Sequence, residues 1–184
     1  MATSAVDLVP VVSAAQQSQA QALISEYLNW VAAVAQANYG LSFDVAGMAA
    51  SDIEDNAKFY PPTGRFYLAV HKGQSVGVGC LKKLAPGIGE VQRMYVQPHV
   101  RGVGAGRALI EQLMADARSL EYRSLRLESL KALEPAHTLY RSVGFKDIDP
   151  YSESSMKSYQ PPETLATYRE SAVFMELSLG SAAA

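Results

Sequence analysis

Apolar positions recur every three or four residues from Ser13 to about Ala37, where Leu23, Ile24, Tyr27, Leu28, Val31, Val34 and Ala35 fall on one stripe. Ser13 and Gln16 form a capping-box pattern at its start, so the spacing predicts a long amphipathic helix. Ser51 and Glu54 repeat that box and predict a shorter helix that stops ahead of Pro61-Pro62, because the residue before a proline disfavours helical geometry. Three runs of strand character follow: RFYLAV (65–70), SVGVGCLKKL (75–84) and EVQRMYV (90–96). The gaps between them, Gly73-Gln74 and APGIG, are short enough to favour antiparallel hairpins. Helical spacing returns over 103–120, with Leu109, Ile110, Leu113, Met114, Ala117 and Leu120 on one face.

SLRLESL (124–130) then alternates as a strand. EPAHTLYRSVG (134–144) reads as a short helix, with Pro135 near its first position and Gly144 just past its end. Residues 147–171 read as a long loop leading to a last strand, AVFMELSL (172–179). The order of elements predicts a mixed α/β layer on one central sheet.

Composition adjusts this picture only slightly. The chain has 184 residues, 48% hydrophobic and 18% charged, which suits one domain over 1–184 with frayed ends at 1–5 and 180–184. A formal net charge of −2 provides no global field for nucleic acid or an anionic membrane, so a bound anion must be held by local geometry. The single cysteine, Cys80, excludes an internal disulfide framework and suits a reducing cytoplasm. Three scattered histidines make no zinc pattern, so no metal is expected. The N-terminus carries no secretory pattern, and no apolar run reaches the roughly 18 residues of a membrane span.

The stretch VQPHVRGVGAGRALIEQLM (96–114) sets Gly102, Gly104 and Gly106 against a helix start, between Arg101 and Arg107. The first amides of a helix lack partners and carry partial positive charge, and glycine lets a ligand approach the backbone closely. A nucleotide P-loop needs Lys-Ser/Thr after its last glycine, but Arg107-Ala108 stands there. A dinucleotide fingerprint fails in either frame, because Arg107 or Leu109 falls on its last small residue. The pattern R/Q-x-x-G-x-G/A is matched by Arg101, Gly104 and Gly106.

That pattern is the pyrophosphate signature of the GNAT acetyltransferase superfamily, and the chain resembles that family. EVQRMYVQPHVRGVGAGRALIEQLM is similar to its fourth strand, loop and third helix, and EPAHTLYRSVGF to its second signature. The resemblance spans roughly residues 66–179. It implies a mostly antiparallel sheet flanked by helices, with two strands splayed at the coenzyme slot. It implies acetyl-coenzyme A as cosubstrate, gripped by the backbone amides of Arg101, Gly102, Val103, Gly104, Ala105 and Gly106. Arg101 and Arg107 would add charge, each ion pair worth about 1 kcal/mol at best in a partly solvated setting. Arg141 could meet the ribose phosphate. Met94, Tyr95 and Val96 would pair through their backbone with the pantetheine arm, the Val96 amide steadying the thioester carbonyl.

Acetyl transfer to an amine poses two proton problems. An alkylammonium near pKa 10.4 costs about 4 kcal/mol to deprotonate at neutral pH, and a departing thiolate leaves more easily if protonated. The resemblance implies Tyr140 as the acid, a phenol that keeps its proton at neutral pH. It implies Glu90 as the base, eleven positions before Arg101. Glu90, Gln92 and Met94 share one face of their strand if no bulge intervenes. Glu128, opposite Leu125 and Leu127, could line the slot or be paired with Arg126 or Arg93, and water could serve as base instead. His137 reads as a surface or coenzyme-edge residue, His71 and His99 as solvated, and Cys80 as a buried strand residue.

The loop 147–171 contains Tyr151, Tyr159 and Tyr168, and connections of such length are commonly functional. It favours a small, partly apolar primary amine as acceptor, whether an amino acid, a simple amine or an antibiotic-like molecule, attacked directly in a ternary complex. A protein or peptide acetyltransferase and a non-catalytic acetyl-coenzyme A-binding module are the alternatives. The resemblance leaves a homodimer open.

Overall fold

A computed structural model describes residues 6–180, so the expected frayed ends lie, apart from Gly180, outside the described residues. Strand β1 (Val6–Pro10) precedes α1 (Ala14–Tyr39) and α2 (Val45–Glu54). The meander β2 (Arg65–His71), β3 (Gln74–Ala85) and β4 (Ile88–Val96) leads to α3 (Ala105–Ser119) and β5 (Ser124–Leu130). Then come α4 (Glu134–Ser142), β6 (Lys146–Ile148), α5 (Pro162–Ser171) and β7 (Ala172–Ser178).

Ser13 and Gln16 cap α1 reciprocally, as their spacing predicts, and Gly40 ends it in the left-handed conformation at φ 65°. The start expected at Ser51 is wrong. Asp44 caps α2 by accepting from the Gly47 amide, and Ser51 lies inside the helix. The loop expected over 147–171 is also wrong in part. It holds β6, a 3₁₀ turn at Ser155–Tyr159 and α5, whose first turn begins at Pro162.

The seven strands run in the order β1-β2-β3-β4-β5-β7-β6, antiparallel except where β4 meets β5. That parallel joint has only three rungs, Ile88–Ser124, Gly89–Leu125 and Glu90–Arg126. Beyond them the two strands part, which gives the expected splay.

Helices cover both faces. Leu23, Ile24 and Leu28 of α1 and Met48 of α2 bury against Phe66, Leu68, Val78 and Tyr95. On the other face Ile110, Leu113, Met114 and Ala117 of α3 pack on Leu81, Val91, Leu125, Leu127 and Met175. One helix thus spans the joint and binds the two half-sheets through apolar contact, at roughly 25 cal/mol per Å² of surface removed from water. A third cluster brings α1 and α5 over β5 and β7 through Val31, Ala35, Tyr168 and Phe174.

Candidate active site

The condition placed on strand β4 fails, because a bulge intervenes before Met94. Cys80 pairs with Gln92 while Val78 pairs with Tyr95, so three steps of β4 answer two of β3. Arg93 sits in the bulge at φ 54°, a conformation that costs a non-glycine residue energy. Two neighbours therefore share a face. Gln92 Nε2 donates to Glu90 Oε2 at 3.0 Å, and Arg93 turns to the same side to meet Asp52 of α2. Met94 turns the other way, toward Leu109 and Leu113 of α3.

The Arg93 guanidinium is bidentate on Asp52, with Nε–Oδ2 at 2.6 Å and Nη2–Oδ1 at 3.2 Å. Both side chains are buried, and Lys58 adds a contact to Asp52 at 3.4 Å. The pair clamps the bulge to α2.

Above the three rungs a cavity of about 80 Å³ opens between β4 and β5. Glu90, Glu128, Tyr27 and Tyr168 line it on the α1 side, and Tyr140 closes it toward α3. The structure thus brings the three candidates for proton transfer into one chamber. Burial, with Tyr27 nearby, pushes the Tyr140 phenol up, so it holds its proton at neutral pH.

Glu90 is 1% exposed and heavily bonded. Lys82 Nζ lies 3.4 Å from it, Ser155 Oγ donates at 2.7 Å and Tyr151 OH donates at 3.4 Å. Glu128 is different. It accepts from Ser154 Oγ at 2.6 Å, the Met156 amide at 3.0 Å and Tyr168 OH at 3.1 Å, all neutral donors. Among the described residues no ion pair reaches it, neither with Arg126 nor with Arg93. Burial raises its pKa and the Glu90 charge adds to the rise, while the three donors oppose it.

The strap from Tyr151 to Met156 therefore caps both carboxylates, a role that the local sequence did not reveal. Of the three tyrosines, Tyr151 and Tyr168 reach the chamber, whereas Tyr159 packs on the α1–α2 core.

Of the residues expected to meet the coenzyme, Arg101 to Arg107 gather at the start of α3. Gly102 and Gly104 both take φ 92°, and nothing lies within 4 Å of where a β-carbon would stand. The first intrahelical bond runs from the Ala108 amide to Gly104 O at 2.9 Å, leaving Ala105, Gly106 and Arg107 ahead of it. A β-carbon on Gly106 would stand 3.2 Å from the end of the Leu139 side chain on α4, so that side chain would have to shift slightly. The Arg101 amide is not free: it donates to Pro98 O at 3.3 Å.

The Arg101 side chain lies over the Trp30 ring at 5.1 Å and donates from Nε to Val96 O at 3.2 Å. Arg107 reaches Ser142 Oγ at 2.9 Å and Glu111 at 3.3 Å. Arg141 pairs with Asp147 at 2.8 Å. The Tyr95 side chain points to α1, donating to Glu26 Oε1 at 2.7 Å, so it can serve the slot only through its backbone. The Gln97 amide bonds Val76 O on β3 at 2.9 Å, so alternation aims the Val96 N–H away from β3.

His137 is not a surface residue: it is 3% exposed, among the described residues its Nε2 has no partner, and burial lowers its pKa. His71 likewise has a buried Nδ1 without a partner, whereas His99 is exposed. Cys80 is buried as expected, and burial raises its thiol pKa. Among the described residues no group of three or more metal-ligating side chains occurs, and no helix is long and apolar enough to cross a membrane.

This sheet order, opened at one parallel joint over a glycine-started helix, is the fold of acyl-coenzyme A N-acyltransferases. A putative member from Klebsiella pneumoniae matches 96% of this chain and 99% of its own at a TM-score of 0.66 and 24% identity. The PaiA N-acetyltransferase of Thermoplasma acidophilum, solved with coenzyme A, matches 95% and 99% at a TM-score of 0.67 and 15% identity. The family model for the acetyltransferase (GNAT) family matches residues 20–145, and the chain belongs to that family.

Among curated relatives, the IAA acetyltransferase of Azospirillum brasilense is 38% identical over 101 residues, which is 54% of this chain and 64% of that protein. An uncharacterized N-acetyltransferase of Schizosaccharomyces pombe is 35% identical over 97 residues, 51% of this chain and 59% of its own length. The chain thus spans about three fifths of the length of these two relatives.

Proposed function

We propose that the protein is an N-acetyltransferase that moves the acetyl group of acetyl-coenzyme A to a primary amine of a small molecule. The observation that carries this reading is the chamber between β4 and β5, which holds Tyr140 and two carboxylates. Relatives named as acetyltransferases, and a fold shared with a coenzyme A complex, support it.

In this reading the diphosphate rests on the amides at the start of α3, where partial positive charge and missing β-carbons favour it. The pantetheine arm runs along the free edge of β4, where the Val96 N–H is available to the thioester carbonyl. Arg101 must first release Val96 O, which it holds at 3.2 Å. The amine nitrogen attacks the carbonyl carbon directly. Glu90 takes the amine proton, itself or through a water, and Tyr140 gives its proton to the sulfur as the C–S bond breaks. Arg107 flanks the glycines beside α4, whereas Arg141, paired with Asp147, would have to turn to meet the coenzyme.

The strap and α5 cover the chamber, which favours a small acceptor over a protein tail. A thiol-release assay with acetyl-coenzyme A against amines, amino acids and peptides tests the proposal. Acetylation of small amines with saturation is expected; acetylation of peptides alone, or saturable coenzyme binding with no turnover on any amine, refutes it.

A further inference from the structure

The charges around the chamber do not balance. Arg93 is paired with Asp52 through two bonds, and Lys82 lies 3.4 Å from Glu90. Glu128 alone has only neutral donors. A half-buried carboxylate without a cation is costly unless a ligand provides one. The donors that now serve it, two hydroxyls and an amide N–H, sit where the N–H bonds of an ammonium would fit. The rest of the wall on that side is apolar or aromatic, from Tyr27, Leu28, Val31 and Phe43.

A guest with a carboxylate next to its amine fits this wall badly. Arg93 in the lining and Lys82 beside Glu90 are each already paired, so its negative charge would face Glu90 and Glu128 across the chamber. Like charges brought together at such a contact are strongly disfavoured.

We propose that the acceptor is an alkyl- or arylalkylamine without a carboxylate beside the reacting nitrogen, and that Glu128 is the specificity-determining residue that seats its ammonium. This rests on the acetyltransferase reading and narrows its substrate class. The Ser154 hydroxyl and the Met156 amide give way as the ammonium arrives, and the hydrocarbon part lies against Tyr27 and Phe43. One proton then passes from the seated ammonium to Glu90 and the neutral nitrogen attacks; the second, shed as the amide forms, replaces the proton that Tyr140 gives to the sulfur.

Matched pairs that differ only by a carboxylate test this: phenethylamine against phenylalanine, cadaverine against lysine, histamine against histidine. The decarboxylated member is expected to show a kcat/KM at least about tenfold higher in each pair that reacts. Glu128→Gln is expected to raise KM for the amines with a smaller change in kcat, and to shrink the preference within each pair. A melting curve confirms that the variant is folded.

Equal or better turnover of the amino acids by the unaltered protein overturns the proposal. So does a Glu128→Gln variant that loses kcat while keeping both KM and the preference. If no pair reacts, the amine class is overturned, and saturable binding of acetyl-coenzyme A then decides separately whether the coenzyme reading stands.

Discussion

Removing the Asp52 carboxylate should unfold the protein at a markedly lower temperature. Its side chain is 6% exposed and that of Arg93 is 8% exposed, so solvent screens the pair little. Asp52→Ala leaves a buried guanidinium in a strained bulge with no carboxylate for its Nε and Nη2. Breaking a buried pair from one side costs about 3–5 kcal/mol. For a domain of this size each kcal/mol moves the melting temperature by about 2–4 °C, so a fall of roughly 6–20 °C is expected. Lys58 loses its contact to Asp52 as well, but it keeps one to Asp55 at 3.9 Å and is less buried, so it adds little.

Replacing both partners by apolar side chains, Asp52→Leu with Arg93→Met, should recover most of that loss, because neither charge of the pair is then left buried. Urea unfolding of the original protein, the single variant and the double variant measures all three on one scale. A single-variant loss below about 1 kcal/mol, or a double variant no better than the single one, would refute the account of the pair as a coupled buried clamp.

Other outcomes follow from the same site. Tyr140→Phe should lower kcat by roughly ten- to a thousandfold with little change in coenzyme affinity, read by steady-state kinetics beside a binding titration. Gly104→Asp and Gly104→Ala share the strain of φ 92°, but only the first adds negative charge beside the amides, so Asp should abolish coenzyme binding and Ala should weaken it less. Glu128 has a raised pKa in the folded protein, mainly from burial. Its favourable contribution is therefore full below the ordinary carboxylate range and lost as pH rises through the raised value. Glu128→Gln removes that loss, so its stability relative to the original protein should climb over this window in denaturation curves taken from acidic to neutral pH.

The elements that local spacing controls were readable in advance. The cap of α1 needs only Ser13 and Gln16, three residues apart, and the β2–β4 meander is announced by its short gaps. The glycine pattern likewise gave the start of α3 and the family. What escaped depends on partners far away in the chain. Strand β1 is only five residues, ends in Pro10, and exists because β2 offers it an edge. The bulge at Arg93 is held by an aspartate 41 positions earlier, so no reading of EVQRMYV by itself would find it. The helix start moved from Ser51 because the Asp44 side chain, seven residues earlier, accepts from the Gly47 amide and caps α2 there. Glu128 was visible as a candidate, but its lack of a cation emerges only when Ser154, Met156 and Tyr168 fold over it.

The joint between β4 and β5 has only three rungs, so the sheet is mechanically two ribbons stitched at one end. Past the last stitch, α3 is the strut that keeps the ribbons in line. A guest lodged in the cleft acts as a wedge and as a splint, completing a ladder that the polypeptide itself leaves unfinished. Deuterium uptake at the outward amides of Val91–Val96 should therefore slow when the cleft is filled, while the already stitched rungs at Ile88–Glu90 change little.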